Sequence, residues 1–135
     1  MKCLLAATVI ACTALVASCT SGDHSVSLDD LRKADAPYYY VGSSFDGFEL
    51  SHVERYRDGV ASILYGTCDA PSEGGCPLPL ELQHKLCHGR VTISIFVGQG
   101  AKRGSARRAA TALRPLSRGA QRQKPDVVFD TGVAC

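Results

Sequence analysis

Glu49 to Thr67 reads ELSHVERYRDGVASILYGT. Two runs rich in β-branched, aliphatic and aromatic residues flank Asp58-Gly59, a dipeptide that tolerates the positive backbone angles of a type I′ turn. Glu49–Tyr56 and Val60–Thr67 are therefore predicted to be the two strands of one hairpin. Upstream, Pro37 forces the residue before it out of the helical region, so Tyr38-Tyr39-Tyr40-Val41 is predicted to be extended. Downstream, Leu78, Leu80 and Leu82 alternate with Pro79, Glu81 and Gln83. That alternation predicts a half-buried strand, placed at a sheet edge because Pro79 has no N–H to give to a ladder. Val91, Ile93, Ile95 and Val97 alternate as well and predict a central strand.

Beyond Val97 runs Gly98-Gln99-Gly100-Ala101-Lys102-Arg103-Gly104-Ser105. Strand, glycine loop and helix follow in the order that a phosphate site uses, but the spacing is wrong. A phosphate loop places Lys directly after its second glycine, and the dinucleotide fingerprint needs a glycine where this chain has Arg103. The segment reads as a glycine turn leading into a helix capped by Ser105. Ala106, Ala109, Ala110 and Leu113 recur on one face of that helix, Arg103, Arg107 and Arg108 flank it, and Pro115 ends it. Near the other end of the chain, Ser27 is placed to cap a short helix over Leu28–Ala34, with Asp29 and Asp30 in its first turn. The expected fold is α+β: a small, mostly antiparallel sheet of about five short strands with one C-terminal helix, stabilised by disulfides.

The first nineteen residues, MKCLLAATVIACTALVASC, carry one early cation, Lys2, and an uncharged run from Cys3 to Ser18. That run is shorter than the roughly 20 residues of a permanent membrane helix and has the shape of an export signal. Leu15-Val16-Ala17-Ser18-Cys19 resembles the bacterial lipobox. The resemblance implies cleavage after Ser18 and lipidation of Cys19, which would hold the mature chain to the cell membrane on its extracytoplasmic face. Val9-Ile10-Ala11-Cys12 is a poorer match, since it would leave an apolar stub. The alternative is an ordinary secretory peptide cut at the same place, with Cys19 a mature thiol. Two or more acyl chains make membrane residence stable, whereas one does not. The expected organisation is a signal over 1–18, a lipidated tether with a short helix over 19–35, and a single domain over 36–135.

Removing 1–18 leaves Cys68, Cys76, Cys87 and Cys135 besides Cys19. An even set in an oxidising compartment reads as two disulfides. Of the three connectivities, Cys68–Cys76 with Cys87–Cys135 is favoured, because the first pair brackets the turn-rich DAPSEGG and the second ties down the last residue. Chain entropy values these bridges at about 2.5 and about 4 kcal/mol. The competing reading is a metal site at His84, Cys87 and His88. Cys68 and Cys76 lie just upstream, but structural zinc uses paired ligands two to four residues apart and this first pair is separated by seven residues, so no metal and no cofactor is expected.

Charge is segregated along the chain. Residues 102–124 hold eight of the fifteen basic side chains and no acid, while residues 20–84 hold eleven acids against four bases. The two halves can face one another or stay solvated. Alternatively, Arg103, Arg107, Arg108, Arg114 and Arg118 meet an anionic surface beside the anchor, lipid headgroups or cell-wall polymers. Nucleic acid is not an expected partner, because no aromatics interleave the cations. No catalytic residues are assigned: there is no Gly-x-Ser-x-Gly elbow and no His-Glu-x-x-His, and catalysis would require distant Ser43, Asp46 and His52 to converge.

The stretch APYYYVGSSFDGFEL, followed by YGTC and GCPLPLELQ, resembles a group of small uncharacterised exported proteins of actinobacteria. The resemblance spans Ala36 to Gln83, with an echo in AATALRPLS, and implies export and disulfides but no activity. The sequence thus points to a lipid-anchored extracytoplasmic binding or envelope-associated accessory domain. The alternatives are a secreted, unanchored domain or an extracytoplasmic enzyme.

Overall fold

The computed structural model describes residues 24–56, 59–67 and 78–131. In chain order they form β1 (His24–Ser25), α1 (Leu28–Lys33), β2 (Tyr39–Tyr40), β3 (Ser44–Phe45), β4 (Phe48–Arg55), β5 (Val60–Tyr65), β6 (Leu80–Cys87), β7 (Arg90–Val97), α2 (Ser105–Ala112), β8 (Arg114–Pro115), a 3-10 turn at Gly119–Arg122, and β9 (Asp126–Phe129). The main sheet has the order β1-β4-β5-β6-β7-β9, with β3 folded back onto β4, while β2 and β8 make a separate two-stranded ribbon. Neighbours are antiparallel except β7 and β9, which run parallel.

Tight turns build the sheet. The expected hairpin is present as β4 and β5, with a register shift between Leu50 and His52. Two further hairpins turn on residue pairs with positive φ: Asp46-Gly47, at 53° and 92°, between β3 and β4, and His88-Gly89, at 49° and 80°, between β6 and β7. Positive φ at both central residues is the type I′ geometry, whose twist matches that of the flanking strands.

The five-strand antiparallel sheet with a C-terminal helix is corrected by this architecture. The main sheet is mixed and its path has six strands, because Asp126–Phe129 returns beside β7. A parallel neighbour needs a crossover of a dozen or more residues, and residues 98–125 supply it through α2. The helix is consequently internal to the chain, followed by β8, the 3-10 turn and β9. The strand expected at an edge is also central, since β6 lies between β5 and β7. Pro79 sits one residue ahead of the first ladder pair, Leu80 with Val97, and its carbonyl accepts from the Gly98 N–H at 3.3 Å. No cystine joins two described residues, so stabilisation by two bridges is not shown. Cys87, the one described cysteine, is disulfide-bonded, and Cys19, Cys68, Cys76 and Cys135 lie outside the described residues.

One face of the sheet carries the core. Across β5, β6 and β7 the register stacks Ile63, Leu82 and Ile95 in one row and Ala61, His84 and Ile93 in the next, all buried. Leu31 of α1 and Ala109 of α2 are fully buried in the same cluster. Burial of this kind removes apolar area from water at about 25 cal/mol per Å². α1 carries its own start signal: the Asp30 N–H donates to Ser27 Oγ at 3.2 Å, and the Ser27 N–H donates to Asp30 Oδ2 at 3.0 Å. This reciprocal capping box satisfies two donors that the first turn would otherwise leave open.

A polar seam fastens β2 to the sheet. The Tyr39 N–H donates to His84 Nε2 at 3.1 Å, and Tyr65 Oη donates to the Gly42 carbonyl at 3.0 Å while accepting from the Val41 N–H at 3.2 Å. Ser117 Oγ donates to the Ala36 carbonyl at 2.6 Å and accepts from the Tyr38 N–H at 2.9 Å. Among the described residues no buried side-chain polar atom lacks a partner.

Candidate functional site

The glycine loop and the start of α2 carry Lys102, Arg103, Arg107 and Arg108, all exposed. Ser105, expected to cap the helix, is instead its first residue and Gly104 is the N-cap, at φ 80°. Ser105 Oγ is turned to the β3–β4 turn and donates to Asp46 Oδ2 at 2.5 Å. Arg108 grips the same carboxylate with Nη2 at 2.6 Å from Oδ2 and Nε at 3.3 Å from Oδ1. The Arg108 guanidinium, helped by the Ser105 hydroxyl, holds the Asp46 carboxyl below the usual carboxylate range. The turn and the helix are thereby tied together, and the charge of Arg108 is matched inside the chain.

The other four arginines fall into different surroundings. Arg103 and Arg107 are exposed beside Lys102, and none of these three has a carboxylate within ion-pair distance among the described residues. Arg114 lies over the Tyr40 ring, its guanidinium carbon 5.0 Å from the centroid, a cation–π contact that fixes it on the β2–β8 ribbon. Arg118 is exposed at the start of the 3-10 turn. The stripe that sequence spacing groups together is thus a cluster at 102–107 with separate single cations.

A groove of about 590 Å³ runs along this cluster. Val97 at the end of β7, Phe129 at the end of β9, Ala101 and Ala106 give it an apolar floor, and Lys102, Arg103 and Arg107 its cations. None of its lining residues is acidic. Val97 and Phe129 are 36% and 44% exposed, two of the three large apolar side chains exposed among the described residues. Sequence reading missed Phe129 and with it the groove. Asp126-Val127-Val128-Phe129 holds a short apolar run without alternation, and only the parallel pairing of β9 with β7 brings Phe129 near Val97.

The remaining candidates are placed apart from one another. His52 Nε2 lies 3.0 Å from Glu54 Oε1, Asp46 is bound to Ser105 and Arg108, and Ser43 is exposed and offers its carbonyl to the Leu50 N–H. No hydrogen bond joins these three into a relay among the described residues. His84 is buried on the core face. Tyr39 N–H can only donate, so Nε2 accepts and Nδ1 carries the proton, donating to the Ala61 carbonyl at 3.3 Å. Burial pushes its pKa down to about 4. Both ring nitrogens are therefore occupied within the fold, and His88 is exposed on the β6–β7 turn.

Compared with known proteins, the chain matches no protein family, and no curated protein or solved structure is significantly similar to it.

Proposed function

We propose that this chain is a lipid-anchored extracytoplasmic binding protein, held through Cys19, that applies the loop and first turn of α2 to an anionic surface. The observation that carries the reading is the exposed set Lys102, Arg103 and Arg107 beside Arg108, whose own charge is matched by Asp46. Among the described residues none of these three cations has a carboxylate within ion-pair distance, and each basic group close to an anionic bilayer contributes about 1 kcal/mol of attraction. The lipobox-like Leu15–Cys19 supports the anchor, and an anchor keeps a weak cationic face at high local concentration over the membrane.

Two measurements test it. Cys19→Ser in a native bacterial host is expected to move the protein from the membrane fraction to the soluble fraction, with a matching loss of acyl mass at residue 19. The Cys19→Ser chain is expected to co-sediment with vesicles containing phosphatidylglycerol, and Arg103→Gln with Arg107→Gln is expected to weaken that binding by roughly 25-fold. Equal binding to neutral vesicles, or no effect of the double substitution, defeats the reading.

A further inference from the structure

The cations at 102–107 do not stand on bare backbone; they rim a groove with an apolar floor. A hydrophilic polyanion would pair with Lys102, Arg103 and Arg107 and leave Val97 and Phe129 wet. A neutral apolar ligand would cover Val97 and Phe129 and leave Lys102, Arg103 and Arg107 unused. Only a ligand with an anion directly beside hydrocarbon uses both halves, and the absence of any acid in the lining removes the repulsion that would exclude it. Asp46, whose carboxylate also feels Lys102, is already held by Ser105 and Arg108. Exposed apolar patches rimmed by polar groups mark interaction sites.

We propose that this groove receives one anionic phospholipid, its phosphate between Lys102, Arg103 and Arg107 and the first methylenes of an acyl chain on Val97, Ala101 and Phe129. The proposal rests on the anionic-surface reading above and sharpens it: the contact is a stoichiometric lipid site, not a diffuse electrostatic face. At about 590 Å³ the groove holds a headgroup and part of a chain. The remainder of the lipid stays in the leaflet, so docking draws the β7 and β9 ends of the sheet onto the bilayer.

The test uses the mature chain from residue 19 carrying Cys19→Ser, so that neither the apolar signal nor an acyl group of the protein itself competes for the groove. Short-chain phosphatidylglycerol, kept below its micelle concentration, is titrated while the amide resonances of Gly98–Arg107 are followed. Glycerol 3-phosphate and short-chain phosphatidylcholine serve as separate probes. Saturable binding of one phosphatidylglycerol per chain is expected, about tenfold tighter than either other probe. Phe129→Ser, and independently Val97→Ser, is expected to weaken phosphatidylglycerol by about fivefold to tenfold and leave glycerol 3-phosphate unchanged. Arg103→Gln and Arg107→Gln should each weaken both anionic probes by roughly fivefold. Equal affinity for phosphatidylcholine, non-saturating shifts, or indifference to both serine variants overturns the site. If the arginine variants still reduce vesicle binding in that case, the anionic-surface reading stands and the groove alone is refuted; if they do not, both fall.

Discussion

His84 should make the fold acid-sensitive well above the range in which carboxylates titrate. In the folded chain its ring is buried between the Tyr39 N–H and the Ala61 carbonyl, and its pKa is about 4 against an ordinary value of 6.5. Desolvation is the main cause, because the charged imidazolium would lie in the apolar row with Ala61 and Ile93. Above 6.5 both states keep the ring neutral and stability does not depend on it. As pH falls from 6.5 towards about 4, the unfolded chain takes up a proton that the folded chain refuses, so unfolding becomes easier by up to about 1.4 kcal/mol per pH unit. The full loss is about 3 kcal/mol, of which about 2 kcal/mol is reached by about pH 5. Asp30 and Asp46, both held below the usual carboxylate range, keep their charges through that interval. Urea unfolding followed by circular dichroism from about pH 7.5 to about pH 5 reads this slope. His84→Gln, which can still accept from Tyr39, should flatten it. Should wild type and variant lose stability in parallel, or the His84 ring proton shift titrate near 6.5, the buried neutral imidazole is wrong.

Other substitutions test separate joints of the structure. Asp46→Asn is expected to lower the thermal midpoint and, by releasing Arg108, to raise affinity for anionic vesicles about fivefold, so that stability and binding move in opposite directions. Gly119→Ala would place a Cβ 1.9 Å from the Asp35 carbonyl oxygen; a loss of about 2 to 3 kcal/mol in urea unfolding is expected, with no change in vesicle binding. Leu31→Ala removes a fully buried side chain of α1 from the core and should cost about 2 to 5 kcal/mol. A value near zero would mean that α1 is not part of the cooperative unit.

Local chemistry was legible in the sequence wherever it was strong. The β4–β5 hairpin follows from alternation about Asp58-Gly59, and α1 from the Ser27…Asp30 spacing. The start of α2 was misread because Ser105 finds a better partner in Asp46, 59 residues away, than in its own helix. β6 was misplaced because Pro79 argues for an edge only if it stands within the ladder, and it stands just outside. His84 carries the alternation of Leu80 and Leu82 into the core, yet its polarity hides that periodicity. Most consequential is β9: the four residues Asp126–Phe129 carry little local signal, and their parallel partner is fixed by tertiary packing. The cations at 102–107 were visible in the sequence, whereas the groove they rim exists only because β9 returns beside β7.

The β7–β9 seam also sets an order of events. β7 can zip to β6 across a two-residue turn, a local step on the microsecond scale. Its other side stays open until residues 98–125 have compacted and delivered Asp126–Phe129 alongside Thr92–Ile95. During that interval a strand holding Val91, Ile93 and Ile95 presents unpaired amides to any neighbouring chain. A polypeptide that emerges from a ribosome or translocation pore in sequence order must pass through this half-zipped state, and the speed of the α2 crossover, more than the final free energy, governs how often two such chains pair with each other instead of with themselves.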